Sequence, residues 1–80
     1  MDISKKIGRK VAALRNEQGW SQSTLGSKVG LDQKKISRIE NGSSQAIEDL
    51  DAIAEVLGLD GVEELISLAR EIPDLDAAAS

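Results

Sequence analysis

Neither cysteine nor histidine occurs anywhere in these 80 residues, and the aromatic complement is one residue, Trp20. The first two absences together remove disulfides, thiolate chemistry, the usual transition-metal ligands and the commonest general base. The third leaves an aliphatic core. A chain this short makes one small domain whose core contributes roughly 3 to 5 kcal/mol, so pairing with a second copy would help it. No apolar run approaches the roughly 20 residues a membrane helix needs, and the first ten residues, MDISKKIGRK, lack an apolar signal-peptide core. The expected location is the cytoplasm. Proline occurs once, at Pro73, and the sequence shows no internal repeat, no strand-like alternation and no glycine-rich phosphate loop.

What is present is helical periodicity. Ile3, Ile7, Val11 and Leu14 recur at the spacing of a single buried stripe, predicting a first helix over residues 3–18 that stops at Gly19. Trp20 follows as a large apolar anchor over the next joint, with packing as its expected role. The stretch SQSTLGSKVGLDQKKISRIENG, residues 21–42, reads as two short helices joined by a tight turn. Ser21 and Asp32 are N-cap residues, Leu25, Val29, Ile36 and Ile39 make the apolar side, and Gly30 and Gly42 are stop signals. Asn41-Gly42 can also signal a hairpin, but the periodicity on both sides favours a helix end.

A fourth helix is expected from about Ala46 to Leu57, with Ile47, Leu50, Ile53, Ala54 and Leu57 on its apolar face and Glu48, Asp49, Asp51 and Glu55 outward. Gly58 ends it. Asp60 is positioned to cap a fifth helix, with Glu63 completing a pattern close to a capping box. That helix carries Val62, Leu65, Ile66, Leu68, Ala69 and Ile72, a set wider than one stripe. Leu65, Ile66, Leu68, Ala69 and Ile72 are therefore candidates for a homodimer interface, the alternative being a helix wedged on two sides within its own domain. Pro73 terminates it. The expected architecture is all-α, a compact five-helix domain over residues 1–72 followed by a short disordered tail, 73–80.

Charge is divided unevenly along the chain. The net value is −4, but residues 1–40 hold nine Lys and Arg against four acids, net +5, whereas residues 41–80 hold Arg70 against ten acids, net −9. Such a split suits a protein with one nucleic-acid-facing surface, or else two sets of charges that merely solvate exposed helix faces. The charge pattern alone does not choose between them, but the polar side of the third helix carries groups suited to the first. Gln33 can bond adenine on two atoms, Lys34 and Arg38 can donate to guanine, and Asp32 can accept from cytosine. Gln22 stands at the start of the preceding helix, beside free backbone amides that suit a phosphate oxygen. Arg9 and Lys10, on the basic outer face of the first helix, are further candidates for phosphate contacts.

From Ile7 to about Leu65 the chain resembles the lambda-repressor-like, or Cro/C1 and xenobiotic-response-element type, helix-turn-helix family. The motifs are IGRKVAALRNEQGWSQSTLGSKVGLDQKKISRIENG and the following LDAIAEVLGLD, about three quarters of the sequence. The resemblance implies a helix-turn-helix formed by helices 2 and 3. Gln22 matches a glutamine that contacts phosphate and helps orient base readers, and Asp32, Gln33, Lys34 and Arg38 match positions that face base edges. Ser21, Asn41, Ser43 and Ser44 match places where the DNA backbone is touched, and Arg15 and Glu40 match an ion pair bridging the first and third helices. Gly26 stands where alanine is usual, and Gln45-Ala46 replace a proline common before the fourth helix. Asp32 is either a base contact or only an N-cap, and Lys35 is either solvent-facing or a phosphate contact.

Two functions compete. The first is a sequence-specific transcriptional regulator, a homodimer on a near-palindromic site in double-stranded DNA. The second is an antitoxin that binds a partner protein and autoregulates its promoter, because GWSQSTLGSKVGLDQKKIS is similar to antitoxins that hold a persistence kinase. No enzyme is expected: adjacent Glu63 and Glu64 would point about 100° apart on a helix, and no set of groups suggests a cofactor or metal site.

Overall fold

In the computed structural model, which describes residues 2–73, five α-helices are built in chain order: α1 Ile3–Glu17, α2 Gln22–Val29, α3 Gln33–Asn41, α4 Ile47–Val56 and α5 Val62–Arg70. No strand occurs among the described residues. The expected tail beyond Pro73 lies outside them.

Local chemistry fixes the first three starts. Asp2 accepts from the Lys5 amide at 2.9 Å, Ser21 from Thr24 at 3.0 Å and Asp32 from Lys35 at 2.8 Å, each pairing an amide that the helix itself leaves without a partner. The turn between α2 and α3 is closed from the other side. Gly30 takes a left-handed conformation, φ 75°, and the Leu31 amide then donates back to the Gly26 carbonyl at 2.9 Å.

α1 packs on α3 and α5, α2 on α3 and α4, and α4 on α5, so every helix sends side chains into one aliphatic core. Val11, Leu25, Ile36, Ile39, Ile53 and Leu65 are completely buried there. Trp20 is half-buried against the core, and the Lys28 ammonium lies 4.6 Å from its ring centre, a cation–π contact.

The structure corrects the sequence reading at three places. Leu65 and Ala69 are completely buried, because α5 is wedged between α1 and α4, and they cannot form a dimer interface. Ile66, Leu68 and Ile72 remain partly exposed. Ile47 and Ile3 are 61% and 39% exposed, because both apolar stripes begin one turn before their helices reach the core, at Leu50 and Ile7. Asp60 does not cap α5. Gly61 holds the N-cap position, the Val62 amide donates to Asp51 of α4 at 2.9 Å, and the Asp60 amide donates to Glu64 at 2.7 Å.

Candidate nucleic-acid interface

α3 is polar on one side because its apolar residues, Ile36 and Ile39, fall on the other and are consumed by the core. Gln33, Lys34 and Arg38 are exposed. Asp32 is exposed as well, but one of its carboxylate oxygens is engaged in capping Lys35. Lys35 leans the other way. Its ammonium lies 3.4 Å from Ser44 Oγ and 4.0 Å from Asp49 of α4, and the residue is partly buried.

Behind the exposed face stands the ion pair expected between the first and third helices. Arg15 Nε donates to Glu40 Oε2 at 2.6 Å and Nη2 donates to Oε1 at 3.1 Å, with the two side chains only 12% and 7% exposed. The geometry is bidentate, the strong form of such a pair. Nη1 of Arg15 also donates to the Trp20 carbonyl at 2.8 Å, so one guanidinium ties α1, the α1–α2 joint and α3 together. Hydrogen bonding to Glu40, opposed by desolvation and reinforced by the Glu40 charge, raises the Arg15 pKa above its ordinary value.

Gln22 joins this pair to the surface. Its Nε2 donates to Glu40 Oε1 at 2.9 Å, and its Oε1 accepts from Gln33 Nε2 at 2.8 Å. Arg15, Glu40, Gln22 and Gln33, drawn from three helices, thus form one connected series. Ser21, Asn41 and Ser43 are exposed at the ends of α2 and α3, and Ser44 is partly buried beside Lys35. Arg9, exposed, and Lys10, half-buried, stand on α1 outside the series.

Two supporting residues do not figure in the sequence reading of the site. Gln45 donates to the Ser4 carbonyl at 2.7 Å and to the Ile39 carbonyl at 3.0 Å, pinning the segment after α3 to α1. Gly8 lets α1 approach the backbone of α3, and its position inside an otherwise regular helical pattern was the available clue. Among the described residues no cluster of acidic side chains is placed to hold a metal ion, and no helix is long and apolar enough to cross a membrane.

Residues 6–65 match the family described as helix-turn-helix domain. The chain is 32% identical over 74 residues to an uncharacterised HTH-type transcriptional regulator of Sinorhizobium fredii, an alignment covering 91% of this chain and 95% of that protein. It is 36% identical over 52 residues to an uncharacterised HTH-type transcriptional regulator of Acanthamoeba polyphaga mimivirus, covering 65% of this chain and 23% of that one.

Proposed function

Since the chain belongs to the helix-turn-helix domain family, we propose that it is a sequence-specific transcriptional regulator that reads double-stranded DNA through α3 and acts as a homodimer. The observation that carries this reading is the exposure of Gln33, Lys34 and Arg38 on a helix whose opposite side is locked into the core. The major groove of B-DNA admits one helix and offers each base pair as a distinct set of donors and acceptors. Glutamine, lysine and arginine on the first turn and a half of α3 are suited to adenine and guanine edges. The similar proteins named as transcriptional regulators support the same assignment.

In this reading Gln22, Ser21, Asn41 and Ser43, with Arg9 and Lys10, hold the phosphate backbone and fix register, whereas Lys35 is turned to Ser44 and Asp49. Asp32 serves as an N-cap, since a second carboxylate role would bring negative charge toward phosphates. Two copies paired through the outer side of α5 would set their α3 helices about 34 to 36 Å apart, one turn of B-DNA. Selection from random duplexes, followed by fluorescence anisotropy, tests this. A near-palindrome is expected, and Gln33→Ala with Lys34→Ala should reduce discrimination between sites by at least tenfold. Unchanged discrimination would show that other residues do the reading.

A further inference from the structure

The series from Arg15 to Gln33 has a direction. Arg15 donates to Glu40, Gln22 donates to Glu40 and Gln33 donates to Gln22, so every donor group faces inward. A guanidinium only donates and an ionised carboxylate only accepts. Glu40 therefore admits Gln22 only by its NH2 end. That leaves the Gln22 oxygen toward α3, and Gln33 must in turn present its own NH2 end to it. Gln33 retains its Oε1 and one Nε2 hydrogen for a ligand, the acceptor and donor that match adenine N6 and N7. Were each amide turned end for end, Gln33 would bond Gln22 through Oε1 and offer two N–H groups outward. Two donors suit guanine, whose N7 and O6 both accept.

We propose that Glu40, held by Arg15, is a positioning residue for base choice: it sets the orientation of the Gln22 and Gln33 amides and thereby selects adenine over guanine where Gln33 meets the DNA. The inference rests on the reading of α3 as the base-reading helix. With its side chain 7% exposed and already bonded to Arg15 and Gln22, Glu40 acts through Gln22 rather than by touching a base.

The substitution Glu40→Gln keeps the shape and reverses the logic. The new amide must turn its single oxygen to the donor-only Arg15. Keeping the shorter of the two bonds, to Nε, directs the new NH2 group at Gln22 and inverts both amides further out. The experiment uses the full chain on its selected duplex. The base pair read by Gln33 is located with Gln33→Ala, then changed to each alternative, and affinities are measured by anisotropy at fixed salt. Wild type is expected to favour adenine by roughly 5- to 150-fold, the span of one bidentate contact. In Glu40→Gln that preference should vanish or pass to guanine, while discrimination elsewhere in the site and the salt dependence stay unchanged. Ile53→Val, which loosens the core without touching the series, should retain it. If Glu40→Gln does not fold, Arg15→Met with Glu40→Met removes both charges at once, the replacement a buried pair tolerates best, and should abolish the preference. A folded variant that still favours adenine, or a wild type that favours another base there, overturns the inference and leaves the reading of α3 standing. A wild type that selects no sequence overturns both.

Discussion

A methyl group on Gly8 would lie 2.3 Å from the Glu40 carbonyl oxygen and 2.6 Å from that of Ile39. Both are backbone atoms near the end of α3, so neither can rotate away. Alanine normally favours a helix interior over glycine by about 1 kcal/mol, yet here the helices must separate to admit it. Gly8→Ala is expected to lower stability by about 1 to 3 kcal/mol, the usual cost of overpacking. A shift of the urea midpoint at unchanged slope would measure it, and a neutral or stabilising outcome would mean that the α1–α3 contact is loose. Gly26 is constrained in the same manner, its added carbon falling 2.3 Å from the Leu31 carbonyl oxygen. Glycine there is a requirement of this turn. At this scale the sequence was legible only in part. The Arg15–Glu40 pair, 25 residues apart, has no local signature and was reached through family resemblance. The Gln45 bridge to Ser4 and Ile39 was not reached at all, since an amide bonding two backbone carbonyls leaves no pattern of spacing.

Helix starts divide according to where the cap comes from. For α2 and α3 the capping side chain and the capped amide are three residues apart, so Ser21 and Asp32 could be read directly. For α5 the acceptor is Asp51, eleven residues earlier on another helix, and sequence rules pointed instead to nearby Asp60. The same distinction explains the fifth helix's apolar face. Periodicity found all its apolar residues, but only packing against α1 and α4 decides that Leu65 and Ala69 go inward while Leu68 and Ile72 do not. The bond from the Val62 amide to Asp51 ties the start of α5 to α4, and Asp51 also keeps position 61 for glycine, since a side-chain carbon added there would meet its Oδ1 at 2.8 Å. Asp51→Ala should therefore cost about 1 kcal/mol, the usual loss for a helix cap. Hydrogen exchange at the start of α5 should speed up in that variant, with α2 and α3 unaffected. Equal loss of protection across all five helices would indicate that α5 has no independent opening and that Asp51 acts on the whole fold.

For the whole molecule the proposed pairing sets the number of copies that meet the DNA. Among the described residues eleven buried apolar residues serve five helices, and none of these is on the outer side of α5. Leu68 lies in the last turn of α5 and Ile72 just past its C-cap, Glu71, both partly exposed and outside the core cluster. Mutating Leu65 or Ala69 would unfold the protomer and say nothing about pairing, whereas Leu68→Lys with Ile72→Lys places charge only at the proposed seam. The variant is expected to sediment as a monomer with its helical content unchanged. Tethering two recognition helices makes the second contact effectively intramolecular, so loss of the pair should weaken binding to a full palindrome by roughly 10²- to 10⁴-fold. Affinity for an isolated half-site should change little, apart from the two added positive charges. A variant that stays dimeric, or one that loses half-site and full-site binding alike, would place the seam elsewhere than on α5.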